Sequence, residues 1–486
     1  MMDGLSLILP EIAIALAAVV ILLIGSRLGK ISGYLSVLGI LVSIALLLMI
    51  PTGTETSNVI DVSGIKMIYS VDLFAVVFKM IFLSIALLST IASLKYMENG
   101  KHLDAYYSLL LLSTFGMMVV ASSSDLVTLF VGIEMAAIPA FILVAFEFNR
   151  KGVDGAAKYF LFGAVFSVIM LLGISLIYVS TSSLMISDIA DVDDSAKLLA
   201  FLGILTLFSA LAFEMSAVPF HLWAPDAYQG APTPVSALLA GASKKMAFAA
   251  AIKILVVAIA VLEVELSIMI AILAILSMVV GNILALAQKD IKRMLAYSSI
   301  GQVGYILAAI AIFTPAGIAY AIYYIIVHAF MKAGAFIAAA CADTASGGKI
   351  KNYGDYVGLA KKMPITSLAM ASFMLSLAGI VPFGGFTAKI LVLIELFREY
   401  ILGSALAMVL GVVMIVTSII SLYYYGRIIK YMWFVEPAHN ESGEKKFKEP
   451  LAFTIPMVVA VIALLILFYA PPFVELCMKV ASGIGF

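Results

Sequence analysis

Residues 213–251 read FEMSAVPFHLWAPDAYQGAPTPVSALLAGASKKMAFAAA: a carboxylate, a proline break, a turn-rich segment and two lysines set inside an otherwise apolar chain. Glu214 stands five residues before Pro219, and Lys244 and Lys245 fall about three turns into the apolar run that follows. On either side the chain continues in apolar runs of about 20 residues, the length at which a helix spans a bilayer. A charge at mid-bilayer costs about 2.5–3.5 kcal/mol even on lenient insertion scales, so it normally faces a partner or a wet cavity and marks a path for ions.

Composition agrees. Of the 486 residues 64% are hydrophobic and 12% charged, where soluble domains carry about 25% charged residues. The formal net charge of +0 leaves no basic surface for nucleic acid. Cys341 and Cys477 lie far apart in apolar runs and offer no disulfide, zinc or iron–sulfur spacing. The N-terminus passes from MMDG directly into an apolar run without a basic segment, which reads as a retained helix rather than a signal peptide.

Counting apolar runs predicts an all-α polytopic membrane protein of about fourteen spans. They fall near 5–26, 31–51, 72–94, 104–122, 125–146, 155–180, 199–230, 233–261, 266–288, 293–313, 315–342, 364–397, 402–434 and 450–476. The longest polar stretches, 52–70, 181–197 and 435–449, suggest no second domain. Most loop lysines and arginines, from Arg27 and Lys30 to Lys445, Lys446 and Lys448, collect on one side; Lys66, Lys197, Arg398 and Lys479 fall on the other. The positive-inside rule makes the first side cytoplasmic and puts both termini outside, in the plasma membrane of a prokaryote.

Two spans are broken alike, the seventh in SAVPF and the twelfth in AGIVPFGGF. A proline in a membrane helix can be a mere kink, but discontinuous helices at matching places in two halves point to a midplane ion site. Glu214 lies beside the first break and Lys389 beside the second. The expected organisation is three N-terminal helices (1–103), a five-helix repeat (104–261), a second (266–434) and a C-terminal helix (450–486). An odd number of spans in each unit inverts one repeat relative to the other.

Within the spans lie Lys79, Lys158, Lys244, Lys245, Lys253, Lys332 and Lys389, with Glu134, Glu214 and His328. Lysines near helix ends ordinarily snorkel to the headgroups; Lys245 and Lys253 fit that reading, and Lys79 fits it as well as a functional one. The others sit more centrally and predict a shared polar interior. Lysine, glutamate and histidine carry protons, and burial or a neighbouring charge changes how tightly they hold them. His328 and Lys332, four apart in HAFMK, share a helix face, and Tyr323 and Tyr324 one turn earlier extend a water-linked chain. An ordinary packed histidine is the plainer account of His328 alone. Glu134, in VGIEMAAIPAF, needs a cationic partner, for which Lys158, Lys244 and Lys245 are candidates.

Other classes fit less well. His102, His221, His328 and His439 are scattered over different elements, so no haem or metal spacing appears, and nucleotide-binding glycine motifs are missing. A stand-alone solute carrier shares broken helices and inverted repeats, but a row of charges through successive spans suits a lateral proton path better than one pocket.

The stretch SAVPFHLWAPDAYQGAPTPVSALLAGASK, Ser216–Lys244, resembles the antiporter-like, proton-translocating subunits of respiratory complex I and its relatives, the N type of NADH:quinone oxidoreductase and of the archaeal F420H2 dehydrogenase above all. Supporting stretches follow in order: LFVGIEMAAIPAFIL around Glu134, AAKYFLFGA around Lys158, QKDIKRMLAYSSIGQVGYIL from Gln288, HAFMKAGAF from His328 and SLAGIVPFGGFTAKI around Lys389. The resemblance implies fourteen helices with two inverted five-helix repeats. It makes Glu134 the gating glutamate of the fifth helix, Lys244 the central lysine of the eighth and Lys389 the lysine on the exit side. Lys158 looks like the sixth-helix lysine of the N type, while His328 and Lys332 match residues found more often in sister subunits. The chain stops soon after the last span, without the lateral helix of the L type.

The resemblance implies proton conduction within a redox-driven pump, with no cofactor on this chain and with other membrane subunits as partners. A multisubunit cation/proton antiporter and a membrane-bound hydrogenase are the alternatives. In one respect the sequence departs from the family: FEMS, with Glu214, stands where a seventh-helix lysine is usual. The expectation is that Lys158 partners Glu134 instead and that Glu214 holds a proton for part of the cycle.

Overall fold

The computed structural model describes residues 4–50, 57–62, 65–436 and 447–484; His439, Lys445 and Lys446 lie outside them. The chain is almost wholly helical. α1 (Leu9–Leu28) and α2 (Ile31–Leu48) pair and lead to a hairpin of β1 (Ser57–Val62) and β2 (Ile65–Ser70). The apolar-run count gave no sign of this hairpin, because it lies in one of the polar stretches between runs. α3 (Leu73–Tyr96), α4 (Leu103–Ser122), α5 (Leu126–Val144), α6 (Arg150–Thr181) and α7 (Lys197–Met215) follow. Several starts are set by side-chain caps that accept a free backbone N–H: Asp72 for α3, Asp125 for α5 and Asn149 for α6.

After α7 come the short α8 (Trp223–Gly230) and α9 (Thr233–Leu238), then a π-turn, Leu239–Ser243, that delivers the chain to α10 (Lys244–Ala287). α11 (Ile291–Ala311) and α12 (Pro315–Ala345) are capped by Asp290 and Thr314. α13 (Pro364–Ala378), α14 (Gly384–Ile401), α15 (Ala405–Trp433), α16 (Leu451–Ile466) and α17 (Pro471–Gly483) complete the chain.

Among the described residues ten helices are long and apolar enough to cross a membrane, eleven if α16 and α17, bent by 85°, make one span. This is fewer than the sequence count, for local reasons. The eighth and ninth expected spans join within α10, whose helical path departs only at Leu262, with φ −136° and ψ 35°. The twelfth is divided between α13 and α14, and the first keeps a shorter apolar core, Leu9–Gly25.

Packing places α12 at the centre, against α3, α9, α11, α13, α14, α16 and α17. Its apolar window is 89% buried, whereas that of α6 is 28% buried and turns Phe160, Leu161, Val165 and Val168 outward. A polar side chain on α12 is therefore held away from lipid, while α6 lies at the rim.

Candidate functional site

Both proline breaks are present, and each sits beside a buried charge. α7 ends where Ser216 takes a left-handed conformation (φ 60°), and α13 where Gly379 does the same (φ 84°). Pro219 and Pro382 follow and supply no backbone N–H to continue a helix. At the first break Trp223 donates its indole N–H to the Phe213 carbonyl (3.0 Å) and stacks on Tyr159 at 3.8 Å between ring centres. Ser277 Oγ accepts the Val218 N–H at 2.9 Å. Glu214, 5% exposed, keeps one oxygen, Oε2, without a hydrogen-bond partner. Glu134, half-buried on α5, accepts from Ser167 at 2.5 Å and lies near enough to Glu214 for the two charges to interact.

Lys158 does not partner Glu134. It pairs with Asp226 of α8, which also pairs with Arg293 of α11, and its side chain is 51% exposed. The long arm of Lys158, on the exposed face of α6, reaches along the rim to the α8 carboxylate. Asp226 and Arg293 were not singled out in the sequence, because each lies at the edge of an apolar run where a solvated charge is ordinary.

At the centre Lys244, 1% exposed, points over the Tyr228 ring (5.1 Å) with the Ser299 hydroxyl 3.4 Å away. Lys245 is fully buried and donates to the Ala240 carbonyl inside the π-turn. The snorkelling expected of Lys245 is thus not found: helix periodicity after the π-turn turns it inward. π-turns free backbone carbonyls and recur at functional sites, and here the freed carbonyl holds an ammonium. His328 and Lys332 on α12 are both fully buried. Lys332 donates to the Leu295 carbonyl (3.0 Å) and to Ser298, whereas neither nitrogen of His328 has a partner. These four basic side chains lie within electrostatic reach of one another. Four basic groups so close and so deeply buried repel one another when charged.

From Lys332 a chain of hydroxyls and amides leads to the second break. Ser298 lies beside the Tyr425 hydroxyl, which accepts from Gln302 Nε2 at 3.5 Å. Gln302 also donates to the Leu377 carbonyl (3.2 Å) and accepts from Tyr324 (2.5 Å). Tyr424 donates to Asn282, and Asn282 to Tyr305, at 2.8 and 3.2 Å. Lys389, 6% exposed, lies 5.1 Å over the Tyr305 ring and donates to the Ala378 carbonyl at 3.1 Å. Tyr324 joins this chain through Gln302 and not through His328, while Tyr323 turns away to the Leu467 carbonyl.

The structure thus brings Lys244, His328 and Lys332 together, links Lys332 to the surroundings of Lys389 through neutral groups, and sets Glu134 near Glu214. Lys158 stands apart. Among the described residues no three His, Cys, Asp or Glu side chains are grouped as a metal would need.

Known proteins carry the same arrangement of chain. The family model for the NADH:quinone oxidoreductase/Mrp antiporter transmembrane region matches residues 123–421. F(420)H(2) dehydrogenase subunit N of Methanosarcina mazei is 40% identical over 502 aligned positions, covering 99% of each chain. NADH-quinone oxidoreductase subunit N of Moorella thermoacetica is 38% identical over 85% of this chain and 86% of its own. Among solved structures, a chain of the membrane-bound sulfane sulfur reductase, an archaeal respiratory membrane complex, superposes with a TM-score of 0.89 at 25% identity, covering 98% of this chain and 97% of that one. A chain of respiratory complex I from Thermus thermophilus gives 0.78 at 29% identity, over 96% and 98%.

Proposed function

The chain belongs to the NADH:quinone oxidoreductase/Mrp antiporter transmembrane family, and from that membership we propose that protons cross it along the row from the half-buried Glu134 through the buried Glu214, Lys244, His328, Lys332 and Lys389. It is a proton-translocating, antiporter-like membrane subunit of a complex I-like NADH or F420H2 dehydrogenase, a multi-pass protein seated among other membrane subunits. The observation that carries the row is burial: Glu214, Lys244, His328, Lys332 and Lys389 are each at most 6% exposed in a bundle facing lipid. Titratable groups are costly there and are kept where protons move.

The fine topology belongs to the same proposal: fourteen spans, two inverted five-helix repeats divided at 261–266, and basic loops inside with both termini outside. The left-handed residue and the adjacent buried charge at each break support the repeat. Protons are taken up from the basic side, where a cavity of about 390 Å³ is lined by Glu147, Gln229, Asp290, Lys292 and Asp343. Lys158 serves the same end, holding Asp226 of α8 from the rim. No cofactor and no electron transfer are assigned to this chain. Lifting one charge against 100 mV takes about 2.3 kcal/mol, which the redox reaction of neighbouring subunits supplies.

Purification in mild detergent with whatever accompanies the chain is the first test, followed by proton pumping in vesicles. Glu134→Gln and Lys244→Ala are expected to abolish pumping while the complex still assembles. Pumping at the native ratio in both variants overturns the row. The family description also names the Mrp antiporter; company of antiporter subunits alone, without redox centres, favours that second reading and sodium as the exchanged ion.

A further inference from the structure

Among the buried charges outside the row are Glu11 on α1, Lys79 on α3 and Lys253 on α10. Lys79 is fully buried and pairs with Glu11, itself 3% exposed, at 2.8 Å. Lys79 Nζ also lies 4.9 Å from the centre of the Tyr69 ring. Lys253, 9% exposed, donates to the carbonyls of Ala121 (2.6 Å) and Ser123 (2.9 Å), where α4 ends, and lies 5.5 Å over Phe74. The snorkelling expected of Lys253, and allowed for Lys79, is therefore corrected: both ammonium groups turn into the protein, towards a carboxylate and free helix-end carbonyls.

These groups form one cluster. The Tyr69 hydroxyl lies beside both Ser122 and Glu11. Ser122 precedes the residue whose carbonyl holds Lys253, and Asp72, the cap of α3, interacts with Lys253. Two carboxylates and two lysines balance in charge. The polar atoms between them are poorly satisfied: Glu11 Oε1 is held by Lys79, but the Tyr69 hydroxyl, the Ser122 hydroxyl and Glu11 Oε2 are buried without an aligned hydrogen bond. Buried polar atoms are normally paired, with protein or with ordered water, so several orphans side by side mark a place built to hold water.

The cluster is also within reach of the row. α3 passes the π-turn at Ile85, against Gly241, so Lys79 lies about 9 Å along its helix from that level, and Lys253 about 14 Å along α10 from Lys244, at 1.5 Å per residue. From this we propose that Glu11, Tyr69, Lys79, Ser122 and Lys253 form a proton-release site for the first five-helix unit, an outlet separate from the one at Lys389. The inference rests on the reading of the chain as a proton conductor.

The step balances in protons. The Lys253 ammonium gives one proton, through the Ser122 and Tyr69 hydroxyls and intervening water, to the Glu11 carboxylate. Lys253 becomes a neutral amine, and Glu11 a neutral acid that no longer holds Lys79 by charge. Glu11 then loses its proton to water at the loop end and its carboxylate pairs again with Lys79. Lys253 regains a proton from the central lysines.

The test uses the whole complex, with Glu11→Gln alone and the doubly neutral Glu11→Gln/Lys79→Met. Each is read for redox turnover, for protons released per turnover, and for the infrared band of a protonated carboxyl that appears during turnover. Expected is near-native redox turnover with a severalfold loss in protons released per turnover and loss of the part of the band assigned to Glu11. A purely structural ion pair would contribute no such band. Native pumping and an unchanged band in the double variant overturn the proposal, as does a complex that assembles only with the pair intact, which makes the pair a structural tie. Glu134→Gln and Lys244→Ala, measured alongside, separate the two readings: if they abolish pumping and the Glu11 variants do not, only this outlet fails; if none affects pumping, the row fails as well.

Discussion

At the first break the Phe213 carbonyl accepts a neutral indole N–H from Trp223; at the second the Ala378 carbonyl accepts the ammonium of Lys389. Backbone oxygens at an interrupted helix must find donors, more urgently in a membrane than in water. At the first a neutral donor serves, since the nearby charge is a carboxylate, which accepts rather than donates, and Glu214 keeps an oxygen without a partner. When the charge is itself the donor, closing the backbone and storing the proton fall to one residue. The first break separates structure from proton chemistry, and the second fuses them.

The largest effect should come where they are fused. Lys389→Met removes the proton carrier and leaves the Ala378 carbonyl without that donor, a loss of about 1–3 kcal/mol for a buried orphan. Pumping should stop and the thermal transition of the complex should fall together. Native pumping with a lowered transition would make Lys389 a backbone cap alone and end the comparison.

Glu214→Gln comes next. The amide keeps the shape and cannot take up and release a proton, so pumping should drop with little change in stability. Glu214→Lys puts an ammonium near Glu134, the arrangement usual in the family. If pumping in the lysine variant equals that of the native chain, Glu214 has no part in the path.

A smaller effect is expected midway along the neutral chain. Tyr324→Phe removes the hydroxyl that donates to Gln302, leaving Gln302 its contacts to Leu377 and Tyr425. Proton transfer to Lys389 should slow without stopping. Trp223→Phe, by contrast, should cost stability and spare pumping. Ser216 N–H still reaches the Phe213 carbonyl at 2.8 Å, so the loss is that of one net hydrogen bond, about 0.5–1.5 kcal/mol. A pumping defect in this variant would mean that the first break is not divided in its roles.

Both breaks were legible in the sequence because proline and glycine act locally: SAVPF and AGIVPFGGF sit where the helices stop. So were Lys244, His328, Lys332 and Lys389, since a charge inside an apolar run stands out whatever surrounds it. Direction was not legible. Lys245 and Lys253 read as end-of-helix lysines, and only the π-turn and the end of α4 explain why they point inward. Partners were not legible either. Gln302 lay in plain view within SSIGQVGY, but an uncharged amide gives no warning that it joins Tyr425 to Tyr324. Glu11 gave no signal of its role, because its partner Lys79 lies two helices away and no local spacing joins them.

The smallest effect tests the one pairing that the departure from the family's pattern suggested and the structure reassigns. Lys158→Gln removes an ammonium that is 51% exposed from an Asp226 that is 24% exposed. Exposed ion pairs contribute about 0–1 kcal/mol, and Asp226 keeps Arg293 as its partner. Stability should therefore hardly move, and pumping should fall only as far as the setting of α8 depends on the rim contact. Asp226→Asn should do more, because it releases Arg293 as well and loosens the tie between α8 and α11. If instead Lys158→Gln matched Glu134→Gln in severity, the lysine would be serving Glu134 during turnover. The resting pair with Asp226 would then be only one of two positions for a swinging arm, and the first half would have its missing cation after all.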